Sequence, residues 1–234
     1  MNYNTKKYKK NTKGDKMGKF YFYYGTMGAG KTAMAIAKAY EFLNKTHCIG
    51  GSITSPARPG ASQISDPRSE SEGREVNEVV RSRVYVYLPN KVWKSKLESR
   101  NGSSIDVDKS LLGDDHLSLI EKNSIVIVDE AQFLNDCAVE SLKRLSSHDN
   151  CLVFCFGLLT DFRKKLFDGT KHIIEVADSI REIPCMCDNC TKKAQYNFRI
   201  TNEDEIVVLE KNKYRSLCSN CFDKYSELVE AEKC

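Results

Sequence analysis

Long hydrophobic runs are missing from this 234-residue chain. No apolar stretch approaches the roughly 18 residues that a membrane-spanning helix needs. The opening MNYNTKKYKKNTKGDKMGK also lacks the apolar core of a secretory leader. No membrane partner is expected, and the chain is expected in the cytoplasm. Proline and glycine, at 5 and 13 residues, are too sparse for a collagen-like fibre. No internal repeat occurs.

A basic body is missing too. The formal net charge is +4, but residues 1–18 carry six lysines against the single acid Asp15, which leaves the rest at −1. The basic excess sits in a tail with little to bury, expected to be disordered. The body offers no electrostatic attraction for nucleic acid, so no nucleic-acid partner is expected. What is present is ordinary for a globular protein: 41% hydrophobic and 29% charged residues. The length suits one domain of ~150 residues plus a small module.

The chain order is informative. Phe20–Tyr24 is β-prone, a glycine-rich loop follows at once, and Thr32–Leu43 then repeats apolar residues at helical spacing. Half of residues 51–74 is serine, glycine or proline, which reads as a long mobile loop. Val84–Leu88 reads as a strand, and polar residues 95–115 as an insertion. Ser124–Val128 and Leu152–Phe156 are unbroken apolar runs, the pattern of parallel strands covered on both faces. A helix is expected near 137–146. After 187, the pieces AQYNFRI and EIVVL are β-prone.

Gly25-Thr26-Met27-Gly28-Ala29-Gly30-Lys31-Thr32 fits the phosphate-loop pattern G-x4-G-K-[ST]. Glycines let backbone N–H groups turn inward around phosphate oxygens, and the following helix adds its positive dipole end. In this pattern Lys31 reaches the outer phosphates and the Thr32 hydroxyl ligates Mg2+. Asp129 ends the second apolar strand and is the expected partner of that Mg2+. Glu130 follows it. Neighbouring residues at a strand end point in different directions, so Glu130 is the candidate general base. Asp-Glu-Ala-Gln also resembles the second ATPase motif of helicases, in which the Glu would activate water. A nucleic-acid-stimulated ATPase is therefore the first rival, disfavoured by the body's charge and the short chain.

The cysteines carry a second signal. Six of ten lie in the last 50 residues, and four form two C-x2-C pairs, Cys187/Cys190 and Cys218/Cys221. Two such pairs can present four thiolates to one tetrahedral Zn2+, with no position left open, so the site is structural. Redox pairing of the same thiols is the alternative. Cys48, Cys137, Cys151 and Cys155 lie in or beside apolar runs and read as buried thiols.

Taken together, these blocks resemble the thymidine kinases of the P-loop, zinc-containing type, from about Gly18 to Phe222. The phosphate loop resembles that family's first motif, including its Met27. Asp129-Glu130-Ala131-Gln132-Phe133 resembles its acid motif, and Gly157–Arg163 with Phe167 its next block. Tyr214 precedes Cys218 and Cys221 as in the family. Asp66-x-Arg68 and Val80-x-Ser82-Arg83 resemble its flexible loop. The sequence departs from the pattern at Leu159, where the family carries Asp. It departs again at Tyr85, where a Gly follows the loop Arg by two, and at Leu209 and Glu210, where small glycines open the "lasso" loop.

The resemblance implies an α/β fold with a P-loop NTPase-like, mostly parallel sheet flanked by helices, plus a small zinc-binding β lobe. Expected boundaries are a tail at 1–18, a kinase domain at 19–182, a zinc lobe at 183–226 and a C-terminal tail at 227–234. It implies transfer of the ATP γ-phosphoryl group to the 5′-hydroxyl of thymidine or deoxyuridine. Glu130 would take the hydroxyl proton, and Lys31, Arg68 and Arg163 would balance charge with Mg2+. Met27, Phe133, Leu158, Phe162, Phe167, Val207 and Tyr214 would wall the nucleoside pocket. It also implies a homo-tetramer. A non-catalytic nucleotide sensor is the second rival.

Overall fold

The structure, a computed structural model, describes residues 18–48, 83–92, 94–111, 119–200 and 213–231. In chain order these form β1 (Lys19–Tyr24), α1 (Lys31–Cys48), β2 (Val84–Pro89), a hairpin of β3 (Lys96–Glu98) and β4 (Ser104–Asp106), and β5 (Lys109–Leu111). Then come β6 (Ile125–Val128), α2 (Asp136–His148), β7 (Leu152–Gly157), α3 (Asp168–Val176), β8 (Ser179–Glu182), β9 (Tyr196–Arg199), β10 (Tyr214–Leu217) and α4 (Ser219–Ala231). The expected tail through residue 17, the serine-rich loop with Asp66, Arg68, Val80 and Ser82, and the lasso with Val207, Leu209 and Glu210 lie outside the described residues.

One six-stranded sheet runs in the order β5-β2-β6-β7-β1-β8, and every pairing in it is parallel. Its centre explains the unbroken apolar runs. In β6, Ile125 and Ile127 pack with Ala35, Ile36 and Ala39 of α1, whereas Val126 and Val128 pack with Val139 and Leu142 of α2 and Ile173 of α3. Both faces of the strand are buried, and each such side chain contributes about 1.5–3 kcal/mol. Asn135 caps α2 by accepting the Ala138 N–H at 2.8 Å, which starts the helix slightly before the expected 137.

Three expectations are corrected. The described part of the expected insertion, residues 95–111, is built into the fold: Leu97 of β3 is buried, and β5 extends the sheet beside β2. Cys137 is exposed, because the helical period turns Ala138, Val139 and Leu142 inward and leaves it on the solvent side; Cys151 and Cys155 are buried as expected. The final segment from 227 is not all tail, since α4 runs to Ala231. Tyr85, in the strand expected over Val84–Leu88, belongs to the core, where it stacks on Tyr87 at 6.1 Å. Its neighbour Arg83 is an exposed residue paired with Glu121 at 3.4 Å.

The cysteine pairs sit in a small lobe made by the antiparallel β9–β10 ribbon and α4, around Phe198, Leu217 and Phe222. No described helix is long and apolar enough to cross a membrane.

Candidate active site

The turn from β1 into α1 is the phosphate loop. Gly28 and Gly30 adopt φ of 88° and 82°, a region closed to most side chains. These two turns aim the loop back on itself and start the helix at Lys31. The Lys31 ammonium is buried and donates to the carbonyls of Gly25 at 3.2 Å and Thr26 at 2.9 Å. Burial lowers its pKa, and the carboxylates of Glu130 and Asp129 act against that.

Thr32 begins the helix beside Lys31, and its hydroxyl donates to Asp129 Oδ2 at 2.7 Å. Asp129 is almost wholly buried, and its other oxygen, Oδ1, has no hydrogen-bond partner among the described residues; neither has the buried hydroxyl of Thr26. Burial, and then the charge of Glu130, push the Asp129 pKa up to about 7, opposed by the Thr32 bond and by Lys31. Orphaned oxygen ligands at a nucleotide loop are what a hard divalent cation completes. The residues therefore fit Mg2+.

Glu130 does face a different way from Asp129, but strand alternation is not the reason. Its backbone enters the left-handed region at φ 54°, ψ 35° and turns the chain out of β6 into the short 3-10 turn Ala131–Phe133. Glu130 then lines a cavity beside the phosphate loop. It is held by Gln132, whose Nε2 donates to Glu130 Oε2 at 2.7 Å while its Oε1 accepts the Leu158 N–H at 3.0 Å. Gln132 is buried and ties the acid turn to the end of β7. This role is not visible in the motif itself.

That cavity has a volume of about 400 Å3. Met27, Phe133, Leu158, Phe162, Phe167 and Tyr214 all line it, together with Lys31, Thr32 and Glu130. Phe133 and Phe167 meet edge to face at 5.8 Å. Tyr214 is fixed from behind: Arg199 donates to its hydroxyl at 3.0 Å and stacks on Phe162 at 4.1 Å.

The cations are arranged differently from expectation. Arg163 is exposed, packs over Phe162 at 5.0 Å and does not line the cavity; Arg68 lies outside the described residues. Arg100, on the tip of the β3–β4 hairpin, lines the cavity instead, and its Nη1 lies 3.4 Å from where a side chain at Gly28 would begin. Gly102 follows it by two residues with φ 85°. The Arg-x-Gly spacing sought at Arg83 therefore occurs at Arg100-Asn101-Gly102, a signal that was in the sequence.

The four sulfurs of Cys187, Cys190, Cys218 and Cys221 lie within 4.8 Å of one another. Cys190 is 3.6 Å from Cys218 and 3.7 Å from Cys221, close to the ~3.8 Å edge of a tetrahedron with Zn–S bonds of ~2.3 Å. No disulfide joins them; all four are free thiols. Burial would raise the Cys187 thiol, yet backbone N–H groups of Cys218 and Asn189 bring it down to about 6. The quartet could hold a metal ion with no open position.

Against known families, residues 74–222 match the model described as thymidine kinase. The chain belongs to the thymidine kinase family. The chain is 32% identical to a thymidine kinase of Streptococcus gordonii over 180 residues, covering 76% of this chain and 78% of that one. It is 28% identical to a thymidine kinase of Mesorhizobium japonicum, with 86% and 89% covered. A third thymidine kinase, from Encephalitozoon cuniculi, is 27% identical with 91% of each chain covered. The phosphate loop precedes the span matched by the family model.

Proposed function

We propose that this kinase transfers the γ-phosphoryl group of ATP to the 5′-hydroxyl of thymidine, giving the monophosphate and ADP. The observation that carries the reading is one cavity shared by two kinds of wall. Gly28, Gly30, Lys31 and Thr32 of the phosphate loop line it together with Phe133, Phe162, Phe167 and Tyr214, and Glu130 lies in the same lining. A polar phosphate and a flat, apolar base each meet a matching surface, and the acid belongs to both.

In this reading Glu130 takes the proton of the attacking hydroxyl, and Gln132 fixes the carboxylate that does so. Lys31 and Arg100 oppose charge on the transferring group; Arg163 has no support from the geometry in that role, and Arg68 lies outside the described residues. Thr32 and Asp129 would hold Mg2+, which when bound neutralises the phosphate oxygens. Zn2+ at the cysteine quartet would fasten the lobe that carries Tyr214. The kinase works in the cytoplasm as a homo-tetramer, as its family resemblance implies.

The test is a nucleoside panel with labelled ATP, reading monophosphate formed. Thymidine should be the preferred acceptor. Hydrolysis stimulated by DNA or RNA and indifferent to nucleosides would replace the proposal with the ATPase rival.

A further inference from the structure

The phosphate loop is gripped from outside by the cysteine lobe. The Met27 N–H donates to Asn197 Oδ1 at 2.7 Å, and the Ser216 hydroxyl donates to the Met27 carbonyl. Both backbone groups of one loop residue are therefore bound by side chains of the lobe. Asn197 and Ser216 are directly opposite each other in the β9–β10 ribbon, so the grip is one cross-strand pair. Both are almost wholly buried.

The pair is itself seated on the metal knuckle. Asp188, between Cys187 and Cys190, accepts the Ser216 N–H at 2.7 Å on its carboxylate, and its own N–H donates to the Ser216 carbonyl at 2.8 Å. A continuous chain of hydrogen bonds thus runs from the first cysteine pair through Asp188 and Ser216 to the tip of the loop.

We propose that Asn197 and Ser216 are positioning residues for the nucleotide, through which the cysteine lobe holds the phosphate loop in its binding shape. The loop turns on two glycines, Gly28 and Gly30, which cost it rigidity; an external clamp at Met27 restores the fixed backbone that phosphate binding needs. The lobe then serves both substrates. Its Tyr214 side meets the nucleoside, and its Asn197–Ser216 pair sets the ATP side.

Ser216 does not line the cavity, which makes it the cleaner probe. The inference rests on ATP binding at this loop, so the experiment measures Mg–ATP affinity of the full zinc-loaded chain directly, without nucleoside. Ser216→Ala should raise the ATP Kd about three- to tenfold, the effect of one lost buried hydrogen bond. The zinc content should stay at the wild-type value. Asn197→Ala should weaken ATP in the same way, while Arg215→Ala, one residue away and bonded to Tyr225 at 3.0 Å, should not. An unchanged ATP Kd in Ser216→Ala overturns the clamp, and so does a parallel loss of ATP binding and zinc. A wild-type chain that binds no Mg–ATP sinks the nucleotide reading and the clamp with it.

Discussion

Replacing Glu130 by Gln separates chemistry from architecture. In the folded chain Glu130 Oε2 accepts from Gln132 Nε2 at 2.7 Å. A glutamine keeps an oxygen for that donor and nearly the same volume, so the loss is a charge-assisted hydrogen bond turned neutral, about 1 kcal/mol. Part of this is returned, because the Glu130 charge is the second cause of the raised Asp129 pKa and it disappears. For a chain of this size, the melting temperature should fall by no more than about 2–4 °C. The amide cannot accept a proton at neutral pH, and a positioned general base contributes about 10²–10⁴ in rate. That is about 2.7–5.4 kcal/mol on the barrier, several times the stability cost. Calorimetric titration should therefore show Mg–ATP and thymidine binding close to wild type, while labelled monophosphate forms at least about a hundredfold more slowly. A variant that binds both ligands and still turns over within about threefold of wild type would refute the assigned base.

Three further outcomes follow from other parts of the molecule. Arg100→Ala should raise the KM for ATP about tenfold, the worth of one charged hydrogen bond of about 1.5 kcal/mol, and leave the KM for thymidine unchanged; an unchanged KM for ATP would mean that the hairpin cation does not meet phosphate. Metal analysis should find one zinc per chain, lost in Cys218→Ser together with several kcal/mol of stability; a metal-free wild type with full activity would contradict a structural zinc. His172, bonded to Glu140 at 2.7 Å and facing Asp136 at 3.1 Å, has a raised pKa, through the Glu140 bond first and the Asp136 contacts after burial's opposing effect. The protonated form is the one the fold favours, so its contribution is full below the unfolded pKa of 6.5 and fades as pH rises through the higher folded value. Urea unfolding of wild type and His172→Gln should differ by up to about 1 kcal/mol at pH 6 and less at pH 9; an equal difference at both would remove the link.

Legibility in the sequence followed locality. The phosphate loop and Asp129-Glu130 are contiguous motifs set against strands, and β6 and β7 bury both faces, so their apolar runs are continuous. Edge strand β8 reads SIRE and is mostly exposed, so no hydrophobic pattern marks it. Gln132 and Arg100 act across the fold: the first bridges to Leu158, and the second reaches the loop only because β3 and β4 pair and turn their tip over Gly28. Spacing along the chain carries no record of the Gln132 bridge, and of Arg100 it carries only the Arg-x-Gly pattern at Arg100-Asn101-Gly102. The cavity's aromatic wall is a similar case. Phe133, Phe162 and Tyr214 come from three separate segments, and only the resemblance to a family suggested that they meet.

The turn that splits the two acids also stores strain that can be measured. Glu130 is one of four described non-glycine residues at positive φ, and a side-chain-bearing residue there costs about 1 kcal/mol relative to glycine. Asp129, one residue earlier, is still in register to meet Thr32, so the left-handed step is what sends one carboxylate to the cation side and the next into the cavity. Glu130→Ala and Glu130→Gly both delete the carboxylate and the Gln132 bond, and both should be inactive. They differ in the backbone alone: alanine keeps the strain, and glycine removes it at an entropic cost in the unfolded chain. In a left-handed position the relief wins, and the glycine variant should be the more stable by roughly 1 kcal/mol in urea unfolding. If the alanine variant is as stable or more so, residue 130 does not leave the strand this way, and the separation of the two acids needs another cause.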